Sequence, residues 1–177
     1  MNRGKDAALL PVALGLADGI LNALTLAAAN FVGDDGPITV GLALRISVAA
    51  LVTAGFAVFV AEYAEARGGL RHASRELSMH SERDLVSTRL GHLALRGALG
   101  QSALAAAASM VGALGPLLLA AALPGPGWIA AAIAIVALGF LGVGLATAVL
   151  GNRLIWAGAL VLGGIGVTAI GAWLKIA

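Results

Sequence analysis

The sequence contains no cysteine and little charge. None of its 177 residues is cysteine, and 11% are Asp, Glu, Lys or Arg. The absence of cysteine excludes disulfide bonds, thiolate metal ligands and a cysteine nucleophile. The shortage of charge, with 60% hydrophobic residues and a mean hydropathy of +0.97, leaves too little polar surface for a water-soluble protein. The composition therefore predicts an integral membrane protein.

Five apolar stretches are long enough to cross a bilayer, which takes about 20 helical residues. They are bounded by charged residues, prolines or glycine clusters and cover residues 11–32, 38–63, 95–123, 127–150 and 153–175. The first stretch contains Asp18 and Asn22 and precedes no small-x-small cleavage site, so we interpret it as a retained helix rather than a signal peptide. The predicted fold class is all-α, with five transmembrane helices in a single membrane domain over residues 1–177.

Lys and Arg are concentrated in alternate connections between these stretches. The N-terminal tail carries Arg3 and Lys5, the fourth connection carries Arg153, and most other arginines lie between Arg67 and Arg96, whereas the first and third connections have no Lys or Arg. Because cytoplasmic loops carry an excess of Lys and Arg, we predict a cytoplasmic N-terminus and an external C-terminus. We favour this topological explanation of the basic segment over nucleic-acid binding.

One long polar segment, residues 64–94, separates the second and third stretches. It contains no proline, which predicts that the second helix extends into the cytoplasm and that the chain turns back near Gly91. Within it, His72, Glu76 and His80 recur at four-residue spacing, and imidazole and carboxylate groups on one helical face can ligate iron, manganese or zinc. Interleaved arginines also fit a solvated helix with Glu–Arg pairs. The segment is therefore a candidate metal site with a structural alternative.

Asp18 lies inside the first span, where a carboxylate costs about 2.5–3.5 kcal/mol on insertion scales. Asn22 follows one turn later on the same helical face, so the two side chains can pass a hard cation along a pathway. Glu62 ends the second span, and Glu65 follows on the same face. If the first two helices pack antiparallel, Asp18 and Glu62 lie at similar depth, and such a pair suits a divalent cation or a proton relay. The alternatives are that Asp18 neutralises a basic partner or stays protonated, and that Glu62 and Glu65 are interfacial residues.

Arg45 lies about two turns inside the outer end of the second span. Its long side chain can reach toward Asp34 or Asp35 at the membrane surface. Alternatively, it points inward as a counter-ion or barrier in the pathway. The sequence leaves both interpretations open.

Motifs in all five stretches together resemble the vacuolar iron transporter family. They are an Asp-Gly after a small apolar lead, an Ala-Glu-Tyr ending the second helix, a Gly-x-x-x-Pro-Leu, a Leu-Gly pattern and a final helix with Trp and Gly. These motifs lie at residues 15–21, 61–63, 112–117, 138–142 and 156–171. Their order and spacing cover nearly the whole chain.

The resemblance implies a homodimer of five-helix subunits with a pathway lined by the first two helices at the dimer axis. It implies a proton-coupled transporter that exports Fe²⁺ or Mn²⁺ from the cytosol, with Asp18 and Glu62 in the pathway and no permanently bound cofactor. The expected partners are membrane lipid and divalent metal ions, with no nucleic acid. The bias toward alanine, glycine and arginine indicates a bacterium of high genomic GC content, and hence a plasma membrane location.

Two other functions compete with transport. Val58 and Phe59 stand where the family often has a methionine ligand, and the cytoplasmic metal-binding domain is short, which favours a transport-inactive scaffold or accessory subunit of a larger membrane complex. An enzyme is disfavoured, because no Ser-His-Asp set, zinc-protease helix motif or phosphate loop can be assembled within the spans. The presence of both Asp18 and Glu62 favours the transporter.

Overall fold

The fold is known from a computed structural model that describes residues 3–32, 38–76, 89–123, 128–148 and 151–174. Of these residues 96% are helical, and none belongs to a strand. The helices are α1 (Arg3–Val32), α2 (Val40–Glu76), α3 (Arg89–Ala122), α4 (Trp128–Ala148) and α5 (Arg153–Leu174). Each is long and apolar enough to cross a membrane, which confirms the predicted all-α membrane fold.

Large apolar side chains cover the outside of the helical bundle. Phe56, Phe140 and Leu154 are 70%, 75% and 84% exposed, and many other leucines, valines and isoleucines are exposed beside them. Soluble proteins rarely expose contiguous apolar surface on this scale. These side chains therefore face the hydrocarbon of a bilayer, and the chain is a multi-pass membrane protein.

Side-chain hydrogen bonds mark where two of the helices begin. The Leu42 backbone N–H donates to Thr39 Oγ1 at 3.2 Å, and the Leu154 backbone N–H donates to Asn152 Oδ1 at 3.0 Å. Each bond satisfies an N–H that has no partner within its own helix. Helices α2 and α5 accordingly begin within two residues of the predicted starts of their spans.

Helix α2 is much longer than a bilayer crossing requires. Its 37 residues extend over about 55 Å, whereas the hydrocarbon core of a bilayer is about 30 Å thick. The helix continues through Gly68 and Gly69, which confirms that the second helix extends beyond its span. Its placement in the cytoplasm stays a prediction of the charge pattern.

The other end of the 64–94 segment also belongs to a helix. Helix α3 begins at Arg89 and includes Gly91, so Gly91 itself lies in the first turn of that helix, and the turn predicted near it stays a prediction. Residues 77–88 lie outside the described part of the chain.

Helix α3 packs extensively against both α1 and α2, whereas α1 and α2 contact each other much less. Glycines bring α1 and α3 close together: a Cβ added at Gly15 would overlap the Ala105 carbonyl, one added at Gly19 would overlap the Ser109 carbonyl, and Gly112 meets α1 in the same way. Membrane helices use small residues in this way because backbones can then approach. From Gly15 to Gly19 on α1, the contacting residue on α3 advances from Ala105 to Ser109, so α1 and α3 run parallel.

Helix α2 runs antiparallel to α3. Ala50 lies beside Ser109, while Gly55, further along α2, lies beside Ala106, earlier on α3. Helices α1, α2 and α3 therefore cross the bundle in alternating directions, as expected of successive spans. With α3 beneath them, α1 and α2 form the two walls of a cleft, which we call the α1–α2 groove.

Helices α4 and α5 pair with each other and pack against α1. A core of small and branched apolar residues connects α1, α2, α3 and α4, and its fully buried leucines are Leu24, Leu117 and Leu138. Leu24 lies less than two turns along α1 from Asp18. The core thereby fixes the helix that carries this carboxylate.

Candidate functional site

Asp18 is half-buried and accepts two hydrogen bonds at one carboxylate oxygen. The Ser109 hydroxyl on α3 donates to Oδ2 at 2.9 Å, and the Asn22 side-chain amide donates to the same oxygen at 3.2 Å. The contact with Asn22 confirms that these two side chains share one face of α1. Hydrogen bonds to a charged group contribute about 1.5–3 kcal/mol each. Together they offset the cost of a carboxylate in the span.

The partners of Asp18 are neutral donors. No Lys or Arg of the described residues pairs with its carboxylate. The structure therefore gives no support, within this part of the chain, to the alternative that Asp18 neutralises a basic side chain. Its carboxylate is instead held at the contact between α1 and α3.

Ser109 connects three helices at one point. It is fully buried on α3, and its hydroxyl oxygen lies 2.9 Å from Asp18 Oδ2 and 3.2 Å from the Ala50 carbonyl oxygen on α2. Sequence reasoning missed Ser109, because a serine in an apolar helix is ordinary and 91 residues separate it from Asp18. The available signal was the run of small residues on α3, which indicates close packing but no polar contact.

Two cavities follow one another along the α1–α2 groove, with volumes of about 390 and 380 Å³. Asp18 and Thr53 provide the polar lining of the first cavity, and Asn22, Thr25 and Thr53 that of the second. The remaining lining residues of both are apolar or glycine. Because Thr53 lines both cavities, they adjoin along the groove and carry a row of oxygen-bearing side chains.

Glu62 lies at a different depth from Asp18. Since Ser109 contacts both Asp18 and Ala50, Asp18 is level with Ala50 on α2. Glu62 is twelve residues beyond Ala50 (62 − 50), or about 18 Å along the helix. The expectation that Asp18 and Glu62 lie at similar depth is therefore wrong. Helix α3 lies between α1 and α2 and sets their relative register. The expectation considered only α1 and α2.

Glu62 lies instead beside an aromatic cluster near the end of its span. The rings of Phe59 and Tyr63 are stacked with centroids 5.7 Å apart, and the Arg67 guanidinium lies 5.7 Å from the Tyr63 ring centre. Tyrosine with arginine is typical of the membrane interface. Ala61 lines the cavity that contains Asp18, whereas the half-buried Glu62 next to it lines neither cavity.

Glu65 and Arg45 are exposed on α2 and line neither of the two cavities. Arg45 is five residues beyond Val40, where α2 begins, or about 7.5 Å along the helix. At this depth an arginine side chain can reach the interface. Asp34 and Asp35, its expected partners, lie outside the described residues, and the pathway roles of Glu65 and Arg45 stay predictions.

The predicted metal cluster of the cytoplasmic segment lies at the edge of the described chain. His72 is exposed on α2, Glu76 is described only as the last residue of that helix, and His80 falls outside. Among the residues that the structure covers, no three His, Cys, Asp or Glu side chains are grouped so as to hold a metal ion. Metal binding by His72, Glu76 and His80 therefore stays a prediction.

No family model, no curated protein and no solved structure matches this chain. The resemblance to the vacuolar iron transporter family accordingly stays a hypothesis based on the sequence motifs.

Proposed function

We propose that this chain is a membrane transporter that exports a divalent cation, Fe²⁺ or Mn²⁺, from the cytosol in exchange for protons, and that Asp18 binds the ion in the pathway. One observation carries the proposal: a carboxylate without a basic partner among the described residues, held by Ser109 and Asn22, lines an open groove within a membrane span. Ionisable groups at such positions mark ion pathways and proton relays.

The chemistry of the groove supports a hard cation. Its polar lining consists of one carboxylate, one amide and two hydroxyl side chains, from Asp18, Asn22, Thr25 and Thr53. Oxygen ligands of this kind suit Mn²⁺ and related ions. A carboxylate that releases a metal ion can take up a proton in its place, which provides the coupling.

The motif resemblance is the second support for this function. It suggests iron or manganese as the ion and a homodimer as the assembly. Because Asp18 and Glu62 differ in depth, they act in succession in this proposal. Glu62 receives the ion near the end of the α2 span, outside the two cavities, and Asp18 binds it in the groove.

A transport-inactive scaffold or accessory subunit is the second candidate, and the position of Glu62 favours it. With Glu62 beside the interfacial Tyr63, Asp18 is the acidic side chain that the described chain places deep in the groove. One carboxylate compensates half the charge of a divalent ion. In a scaffold, the bonds among Asp18, Asn22 and Ser109 would serve only to fasten α1 to α3.

Metal flux into liposomes that contain the purified protein separates the two candidates. We expect wild-type protein to carry Mn²⁺ down its gradient and to move protons in the opposite direction. Asp18→Asn keeps the size of the side chain and removes its charge, so flux should fall to that of protein-free liposomes. Thr147→Val changes an exposed polar side chain on α4, outside both cavities, and should retain most of the flux.

Two results would contradict the transporter. One is wild-type flux no greater than that of protein-free liposomes, and the other is equal flux in wild type and Asp18→Asn. The scaffold predicts a different outcome, in which Asp18→Asn lowers thermal stability in detergent and no variant changes Mn²⁺ flux.

A further inference from the structure

We propose that Ser109 changes its hydrogen-bond acceptor when a cation binds at Asp18 and becomes an oxygen ligand of that cation. In the empty site its hydroxyl donates to Asp18, and in the occupied site it donates to the Ala50 carbonyl. The change adds a hydrogen bond between α3 and α2 whenever the site is filled. It assumes a cation at Asp18 and so rests on the proposed function.

The geometry offers one proton to two acceptors. The Ser109 hydroxyl oxygen lies 2.9 Å from Asp18 Oδ2 and 3.2 Å from the Ala50 carbonyl oxygen, both within hydrogen-bond distance. A serine hydroxyl has a single hydrogen and makes one straight bond at a time. Ser109 is 0% exposed, so bulk water does not supply a second donor. The two acceptors therefore compete for one proton.

Charge decides the competition. When the site holds neither a cation nor a proton, the ionised carboxylate is the stronger acceptor, because hydrogen bonds to ionised oxygens are about twice as strong as those between neutral groups. A cation bound at Oδ2 takes up that negative charge and repels the hydroxyl hydrogen. Rotation about one bond then directs the hydrogen to the Ala50 carbonyl of α2, which the Thr53 hydroxyl also approaches, at 3.1 Å. Because Thr53 Oγ1 lies 3.1 Å from the Ala49 carbonyl as well, its hydrogen can turn to Ala49 and leave the Ala50 carbonyl to Ser109.

After this rotation the hydroxyl directs its oxygen, and no longer its hydrogen, toward the cation. Hard cations accept hydroxyl and carbonyl oxygens as ligands together with carboxylates. Ser109 therefore acts as a hydrogen-bond donor in the empty site and as an oxygen ligand in the filled one. In the filled state the Ser109 hydroxyl adds a hydrogen bond to the packing between α2 and α3, which relates ion occupancy to the contact between these two helices.

The test uses full-length protein in detergent, with Mn²⁺ as the probe. Infrared spectroscopy follows the carboxylate stretching band of Asp18, identified by its loss in Asp18→Asn, and a titration gives the Mn²⁺ affinity. We expect Ser109→Ala to shift the band without Mn²⁺ and to weaken Mn²⁺ binding about fivefold to tenfold. Ser109→Thr keeps the hydroxyl and should restore both values toward wild type.

Ser102→Ala is the matched control. Ser102 is also buried on α3, but its hydroxyl donates to the Leu99 carbonyl of its own helix at 3.0 Å. The same change at this position should leave the Asp18 band and the Mn²⁺ affinity as in wild type. A merely structural role for Ser109 would instead give similar results for the two alanine variants.

The outcomes distinguish this inference from the proposed function. An Asp18 band that is the same in wild type and Ser109→Ala, or Mn²⁺ affinities that are equal in the two, would overturn the role of Ser109 and leave the transporter standing. A wild-type protein whose Asp18 band does not respond to Mn²⁺ would overturn the proposed function itself. A band that responds to Mn²⁺ in wild type and Ser109→Thr, with weakened binding in Ser109→Ala, supports both.

Discussion

At the scale of single residues, the candidate site is one carboxylate with two donors from different helices. Asn22 supplies its bond from α1 itself, one turn away, and Ser109 supplies the other from α3. The Ser109 bond is the shorter of the two, at 2.9 Å against 3.2 Å. Asp18 therefore depends on the packing of α1 against α3 as well as on its neighbour in sequence.

Asn22→Ala should lower Mn²⁺ flux less than Asp18→Asn does. The variant removes the longer hydrogen bond and keeps the carboxylate, so we expect a reduction of about fivefold, equivalent to about 1 kcal/mol. The measurement is the initial rate of Mn²⁺ uptake into liposomes. Thr168→Ala is the control, because the part-buried Thr168 lines neither cavity and its hydroxyl donates within α5, to the Gly164 carbonyl. An equal loss in both variants would contradict a specific role for Asn22.

At the scale of the helices, the groove exists because α3 separates α1 from α2. The close approach of α1 and α3 at Gly15, Gly19 and Gly112 brings the backbone of Ser109 against α1. The Ser109 hydroxyl then lies within reach of both walls of the groove. Small residues at this contact are thus a requirement for the site as well as for the fold.

Gly19→Ala should destabilise the protein and disturb the site. A Cβ at Gly19 would overlap the Ser109 carbonyl, so the helices must move apart, and overpacking of this kind costs about 1–3 kcal/mol of unfolding free energy. Tryptophan fluorescence during denaturation in detergent micelles measures this loss. Gly115→Ala adds the same methyl group on α3 where no atom lies within 4 Å, and it should leave stability unchanged or slightly raised. Equal stability of the two variants would contradict the close α1–α3 contact.

The sequence predicted the helices well and their register poorly, for a physical reason. A run of about 20 apolar residues has few alternatives to a transmembrane helix, so the sequence alone predicted the five spans. The absence of proline after the second span likewise predicted the extension of α2. The free-energy cost of placing a carboxylate in lipid was enough to identify Asp18 as a candidate functional residue. The level of Asp18 relative to Glu62 depends on contacts of Gly19 and Ser109 with distant residues. No periodicity in either helix encodes those contacts.

At the scale of the whole molecule, the topology follows from the alternating directions of the helices and the positions of the basic residues. The absence of cysteine gives each single-cysteine variant one labelling site. Gly68 is exposed on the extension of α2, Leu123 is exposed just after α3 ends, and Phe56 is exposed in the middle of the α2 span. These three positions represent the predicted cytoplasmic side of the membrane, the predicted outer side and the lipid-facing surface.

A membrane-impermeant maleimide should label the three variants differently. We expect Gly68→Cys to react from the cytoplasmic side, Leu123→Cys to react from the outside, and Phe56→Cys to stay unlabelled until the membrane is dissolved, because lipid covers it. The reverse assignment of Gly68 and Leu123 would show that the positive-inside prediction is wrong. Labelling of both from the same side would contradict the crossing of the membrane by α3.

The most direct test of the account is a comparison of Mn²⁺ flux in Thr53→Trp and Val52→Trp. Thr53 lines both cavities, and its hydroxyl bonds only to carbonyls of its own helix. Tryptophan at this position therefore fills the α1–α2 groove without removing a hydrogen bond between helices. Val52 is adjacent, 59% exposed and lines neither cavity, so its tryptophan points into lipid. We expect Thr53→Trp to abolish flux and Val52→Trp to retain it. Flux that persists in Thr53→Trp would show that the ion does not pass through the α1–α2 groove.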